Sequence, residues 1–217
     1  MEIASRLAPP PSVATRAGET VGLFGGSFDP LHIGHLALCD YLLAYPEWSG
    51  LSQIWFLPTP QNPLKEQETS LSYEWRCRMI EQAIQSDPRY ELCTIESMLP
   101  EPHYTVDTLT ALEEHYPHCA FSLIIGADSL ASLSQWHRHE ELLNRLPLVV
   151  YPRSGYDLSQ LADQYPTAQI RLMSDAPQIE VSSTAIRQAL LEGRDLRHWL
   201  PQPELYDTLS KVTTHHE

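Results

Sequence analysis

Lysine is almost missing from this chain: Lys65 and Lys211 are the only two among 217 residues. Fourteen basic and 28 acidic side chains leave a net charge of −14 with histidine neutral. Lys and Arg supply most of the affinity for phosphate backbones and anionic headgroups, so neither nucleic acid nor a membrane is expected as a partner. No apolar run approaches the roughly 20 residues that span a bilayer. The first residues, with prolines at 9, 10 and 11, carry no apolar segment that would direct secretion, and a flexible tail is expected over 1–19. Cys39, Cys77, Cys93 and Cys119 form no CxxC pair, so a cysteine zinc centre is not expected. They read as reduced, buried thiols of a cytoplasmic protein. Two common phosphate motifs are also absent: there is no G-x-x-x-x-G-K-[ST] and no G-x-G-x-x-G.

What is present is enough for one well-packed α/β domain, expected over 20–217. Apolar residues make up 42% of the chain, and at this length folding buries roughly 70% of the unfolded surface without metal or disulfide staples. Strand-like and helix-like periods alternate. Strands are expected at 20–25, 53–59, 90–96, 120–127, 148–151 and 169–173. Helices are expected at 34–45, 73–85, 105–116, 140–146 and 183–191, with Thr105 as the N-cap of the third and a Ser-Ser-Thr cap on the last. The run Ala120–Ala127 is apolar throughout, as in a central parallel strand. This β-α alternation predicts a doubly wound parallel sheet whose ligands sit beyond the strands' carboxyl ends.

Nine glycines serve the whole chain, and five of them (Gly18, Gly22, Gly25, Gly26, Gly34) crowd into residues 18–34. The segment Gly25-Gly26-Ser27-Phe28-Asp29-Pro30-Leu31-His32-Ile33-Gly34-His35 follows the first strand and opens the first helix. Its glycines allow close backbone approach to a ligand, and the helix amides favour an anion. His32 and His35, three apart, share one helix face with Cβ atoms about 5–6 Å apart. Both imidazoles can donate to phosphate oxygens. Far along the chain, Ser183, Thr184 and Arg187 bring hydroxyls, free amides and a guanidinium to another helix start, a group that suits a polyphosphate.

GGSFDPLHIGH resembles the signature of nucleotidyltransferases that share an H-x-G-H motif, and Val181–Arg187 (VSSTAIR) resembles their SSTxIR element. Tyr104–Leu109 (YTVDTL), Ile124–Leu130 (IIGADSL) with the following Trp136, Pro58–Lys65 and Val149–Gly155 are similar to segments of the nicotinate-nucleotide adenylyltransferases. The resemblance runs from about Thr20 to Leu200. It implies a Rossmann-like sheet of nucleotidyltransferase type and transfer of AMP from ATP to nicotinate mononucleotide, giving deamido-NAD and pyrophosphate in NAD biosynthesis. The catalytic group it implies is His32, His35, Lys65 and Arg187. Gly25, Gly26, Ser27, Phe28, Gly34, His35, Gly126, Asp128, Ser182, Ser183, Thr184 and Arg187 would bind ATP, with Mg²⁺ accompanying the triphosphate. Tyr104, Thr105, Trp136 and Arg153 would bind the mononucleotide, Trp136 by stacking on the pyridinium or, alternatively, serving as core. Asp128 would meet a ribose hydroxyl or a metal-bound water, or act as a helix N-cap.

This chain departs from the family pattern at Ser27 in place of threonine, at Thr59-Pro60, at Leu64 and at His103, and no role is expected for the segment from Pro203 onward. Three alternatives stay open: nicotinamide mononucleotide as acceptor, phosphopantetheine as acceptor, or a catalytically silent nucleotide-binding regulator.

Overall fold

Period-two alternation along the strands sorts the core into two layers. The computed structural model describes residues 19–60 and 71–214, the side chains of 212–214 excepted. Six parallel strands form one sheet: β1 (Thr20–Gly26), β2 (Gln53–Pro58), β3 (Tyr90–Leu92), β4 (Ala120–Gly126), β5 (Leu148–Tyr151) and β6 (Ile170–Leu172), in the order β3-β2-β1-β4-β5-β6. Val21, Leu23, Trp55, Leu57, Leu123, Ile125, Leu148 and Val150 face one layer. Their neighbours Phe24, Ile54, Phe56, Ile124 and Val149 face the other. Every central strand is apolar on both faces because both are roofed by helices.

The helices are α1 (Ile33–Ala44), α2 (Pro46–Ser49), α3 (Tyr73–Ile84), α4 (Thr105–His115), α5 (Ala127–Ser132), α6 (His139–Arg145), α7 (Leu158–Ala162), α8 (Ser183–Leu191) and α9 (Tyr206–Thr214). On one face α1 and α3 bury Leu38, Leu42, Ile80 and Ile84. On the other, α4, α5 and α6 bury Leu109, Leu112, Leu130 and Leu142. Each such side chain contributes about 2 kcal/mol of apolar burial. The expected doubly wound architecture is therefore the observed one.

Several boundaries differ for physical reasons. The strand expected over 90–96 stops at Leu92, because this edge strand pairs with β2 through only three residues. The chain then turns through a 3-10 helix at Ile95–Met98, which carries Glu96 to the carboxyl end of the sheet. Thr105 is the first helical residue of α4, not its cap; Tyr104 holds the cap position and no side chain caps the helix. Likewise Asp128 lies inside the first turn of α5, whose cap position is Gly126. The segment after Pro203, left without a role by the sequence, forms α9. Its Tyr206 and Leu209 join Leu71, Met79, Ile186 and Leu190 in a third cluster that seats α8 against α3. Cys39 and Cys93 are buried, Cys77 and Cys119 half-buried, and all four are thiols. No described helix is long and apolar enough to cross a membrane. The expected tail lies, up to residue 18, outside the described residues.

Candidate active site

The sheet order reverses between β1 and β4: the chain runs from β1 outward to β3, then returns to build β4, β5 and β6 on the other side. A crevice opens at the carboxyl ends of the strands at such a point. Two cavities occupy it, of about 490 and 450 Å³. Phe24 of β1 and Tyr151 of β5 line both, their rings edge to face at 6.3 Å.

The first cavity is walled by His32, Gly34, His35, Asp128, Arg153 and Ser182, with Pro177–Val181 along its rim. His32 occupies the cap position of α1 and His35 its first turn. Their rings stack at 3.6 Å, an arrangement two imidazolium cations would resist. The backbone N–H of His32 donates to His35 Nδ1 at 3.2 Å, which places the proton of a neutral His35 on Nε2. Burial lowers His32 to about 4, and the charge of Arg153 adds to that. His35 is pushed well below the usual imidazole range by burial, then by His32 and by Arg153. At neutral pH the pair is therefore a set of neutral donors. Gly34 makes the arrangement possible: a Cβ there would stand 3.1 Å from His32 Nδ1 and 3.2 Å from its Cε1. Arg153 spreads over the Tyr151 ring at 5.0 Å, donates to the Tyr151 hydroxyl at 3.1 Å, and lies 3.7 Å from Asp128.

The second cavity is walled by Gly25, Gly26 and Gly126 at the strand ends, and by Tyr104, Thr105, Trp136 and His137 at its mouth. Tyr104 stacks on His137 at 4.2 Å. The opening amides of α4 have no carbonyl within their own helix and are available to an anion. Trp136 packs on the core cluster beneath and also lines the cavity. Glu96 and His103, both buried, contribute to the same wall. Burial raises Glu96 to about 7, with the hydroxyls of Thr59 and Thr108 opposing the rise.

Several expected site residues are placed differently from the expectation. Arg153, expected beside the mononucleotide, lies in the first cavity with the histidines. Phe28 is a core residue with positive φ (47°), packed against Phe24, His35 and Phe56, and lines neither cavity. Its neighbour Ser27 is likewise absent from both walls; its carbonyl accepts from Arg76 at 2.6 Å. Ser183, Thr184 and Arg187 also stand outside both walls. Ser183 Oγ donates to the Pro30 carbonyl at 2.9 Å, and Arg187 donates to the Asp29 carbonyl at 2.5 Å and to Thr184 Oγ1 at 3.3 Å. The Asp29 carboxylate lies 3.5 Å from the same guanidinium. These bonds bring the two sequence signatures into contact, with Ser182 capping α8 through Ala185 N–H. Lys65 lies outside the described residues.

Arg76 escaped the sequence reading. It is fully buried on α3 and donates to the carbonyls of Ser27, Thr59, Pro60 and Leu71, so it ties the glycine-rich turn to the segments on either side of 61–70. The readable signal was a cation at 76 on the apolar stripe 76, 79, 80 and 84.

Residues 23–189 match the cytidylyltransferase-like family. A Porphyromonas gingivalis protein assigned as a nicotinate-nucleotide adenylyltransferase is 49% identical over 191 residues, 88% of this chain and 94% of that one. A Bacteroides fragilis protein of the same assignment is 40% identical over 194 residues, 88% and 92% of the two chains. Among solved structures, the nicotinic acid mononucleotide adenylyltransferase of Plasmodium falciparum complexed with NaAD superposes with TM-score 0.65 at 19% identity, over 82% of this chain and 87% of that one. The Vibrio parahaemolyticus structure of a protein assigned to the same activity gives 0.63 at 20% identity, over 91% and 99%. At those identities the superpositions speak for the fold, and the sequence relatives speak for the family. The chain belongs to the cytidylyltransferase-like proteins and, among them, to the nicotinate-nucleotide adenylyltransferases.

Proposed function

We propose that this chain transfers AMP from ATP to nicotinate mononucleotide, releasing pyrophosphate and forming deamido-NAD. The observation that carries the reading is the pair of cavities sharing Phe24 and Tyr151 at the sheet's reversal point, one lined by stacked histidines and Arg153, the other by a helix N-terminus and aromatic rings. A triphosphate in the first and a pyridine mononucleotide in the second bring two phosphates together at the shared wall.

The mononucleotide's phosphate oxygen attacks the α-phosphorus, the bond to the β-phosphate oxygen breaks, and pyrophosphate leaves. The attacking oxygen is already anionic, so no protein base or nucleophile is required. The chain supplies position and charge stabilisation. His35, through Nε2–H, and His32 donate to the transferring phosphate's oxygens, and Arg153 balances charge from the opposite wall. Gly25 and Gly126 leave the backbone open to the phosphates. Ser183 and Arg187 act by fastening the 29–30 turn and stand ready at the α8 amides for the distal phosphates. Asp128 and Glu180 are the carboxylates lining this cavity, and among the described residues no group of three or more His, Cys, Asp and Glu is arranged to hold a metal ion. Mg²⁺ would accompany ATP as part of the substrate and screen the phosphate charge.

Tyr104 and Thr105 present the α4 amides to the ring carboxylate, and Trp136 offers its face to the pyridinium. The test is pyrophosphate release from ATP-Mg with nicotinate mononucleotide, nicotinamide mononucleotide and phosphopantetheine as rival acceptors. Turnover with the acid mononucleotide at the highest kcat/KM supports the reading. Preference for either rival, or no release with any, overturns it.

A further inference from the structure

The second cavity holds more unmet hydrogen-bonding capacity than the fold itself requires. Seven buried side-chain polar atoms lack a partner among the described residues, and three of them belong to this one wall: Glu96 Oε2, His103 Nδ1 and Trp136 Nε1. Buried polar atoms are ordinarily paired, so such a concentration marks a place where a ligand completes the bonding. Glu96 is the most informative of the three. It is 7% exposed, and Thr108 Oγ1 donates to its Oε1 at 3.0 Å. The same hydroxyl also reaches the Tyr104 carbonyl at 3.2 Å, so Oε1 is held at the helix start and Oε2 is the oxygen left to meet a ligand. Thr108 sits one turn into α4, so the bond holds Glu96 beside the same helix start whose amides face the cavity.

We propose that Glu96 determines acid-over-amide specificity: protonated on Oε2, it donates a hydrogen bond to the ring carboxylate of the acid mononucleotide, which binds together with one proton from solvent. The inference rests on the second cavity being the mononucleotide site. An ionised Glu96 would set two carboxylates against each other in a buried space, whereas a ring amide could donate its N–H to that same ionised oxygen. Among the described residues lining this cavity there is no Lys or Arg to compensate such a charge. The groups facing Glu96 are Thr59 past β2, Tyr73 of α3, Cys93 past β3, Thr108 of α4 and His103 ahead of it; His137 lines the same cavity, and Asp107 in the first turn of α4 is paired with Arg138 at 3.5 Å. Burial already holds the carboxyl at about 7 in the free protein, so near neutral pH it is half protonated.

The experiment measures KM for the acid and amide mononucleotides from pH 6 to 8.5 at saturating ATP-Mg, in the wild type and in Glu96→Gln. The glutamine keeps a donor that does not titrate. The protonated fraction falls from one-half at pH 7 to one-eleventh at pH 8, so the wild-type KM for the acid rises about fivefold over that unit. Its preference over the amide narrows accordingly, and the Glu96→Gln profile for the acid stays flat apart from the titration of the substrate phosphate. Parallel profiles in the two proteins overturn the proposal. If the variant fails to fold, calorimetry of the wild type in buffers of different ionisation enthalpy decides: net proton uptake rising toward one between pH 7 and 8 supports it, and none overturns it. Turnover of the acid with parallel profiles sinks the Glu96 role alone, whereas no turnover of either mononucleotide at any pH sinks the assignment of the cavity and the proposal with it.

Discussion

Gly34→Ala separates the demands of the helix from those of the site. Gly34 lies outside the positive-φ region and inside the first turn of α1, so alanine suits its backbone. Relative to glycine it adds up to about 1 kcal/mol of helix stability. The new Cβ, however, would stand 3.1 Å from His32 Nδ1 and 3.2 Å from Cε1, inside the 3.4 Å at which ordinary contact begins. His32 must then shift by a few tenths of an ångström, and the His35 ring stacked on it at 3.6 Å leaves it little room to do so. Crowding of this kind costs about 1 kcal/mol, the lower end for an overpacked site. The two terms nearly cancel, so urea unfolding should place the variant within about 1 kcal/mol of the wild type. Catalysis has no such compensation. A 1 Å misplacement can cost about a hundredfold, so a shift of a few tenths should lower kcat by roughly tenfold. Wild-type kcat with unchanged stability would refute the claim that the stacked histidine geometry serves the reaction. A loss of more than about 3 kcal/mol would refute the packing estimate instead.

Arg76→Lys keeps the charge but cannot reach four carbonyls at once, and hydrogen bonds from a charged donor are worth about 1.5–3 kcal/mol each. It should lose about 3 kcal/mol of stability by denaturant titration and lower kcat/KM for ATP as the Ser27–Pro30 turn loosens; unchanged values for both would contradict the tethering role. Trp136→Ala should raise KM for the mononucleotide about tenfold while leaving that for ATP alone, and a fall in melting temperature without a KM change would make Trp136 a core residue only. Two buried groups should tilt stability against pH in opposite senses. His32, lowered to about 4 from 6.5, takes up its proton more readily unfolded, so its contribution is lost as pH falls from about 6.5 to 4. Glu96, raised from 4.5 to about 7, binds its proton more tightly folded, so its contribution is lost as pH rises from about 4.5 to 7. Each is worth about 3 kcal/mol across its window. Urea midpoints at pH 5 and pH 7 should therefore rise more steeply with pH in Glu96→Gln than in the wild type, and equal slopes would discount the buried carboxyl.

The parallel sheet was legible because its strands are apolar on both faces and spaced by amphipathic helices, and the bounds of Leu148–Tyr151 could be read to the residue. The histidine pair was legible for a comparable reason: spacing of three on a helix start is geometry written in one dimension. Other features needed long-range information. That Glu96 leaves the strand depends on how few residues the edge strand pairs, which is a property of β2 as much as of residues 90–96. Arg76 serves carbonyls 5 to 49 positions away in the chain, and no local pattern encodes those partners. The C-terminal helix looked featureless because its burial against α8 and α3 exists only once those helices are placed. Arg153 lines the first cavity with the histidines, and no local pattern says to which side a residue just past a strand end turns.

The fate of Arg187 and Ser183 explains how so acidic a protein holds an anionic substrate. Both were read as phosphate ligands, yet their best bonds run to the carbonyls of Asp29 and Pro30, more than 150 residues away in sequence. Asp29 in turn accepts from Leu71 N–H through its carboxylate. Ser183 and Arg187 of one signature thus hold the Asp29-Pro30 turn of the other. The cation lining the first cavity is Arg153, offset by Asp128 at 3.7 Å and joined on the rim by Glu180; the other donors there are neutral groups, the two imidazoles among them. Neutral, fixed dipoles bind phosphate without drawing counter-anions to an exposed cationic patch, and because they are held before the substrate arrives they need little reorganisation when charge moves from the α- to the β-phosphate. A net charge of −14 is compatible with this design, since the long-range field is screened over about 8–10 Å at physiological salt while the donors act at contact. In the proposed reaction the tether between the signatures would matter through the turn it fixes just ahead of the histidines.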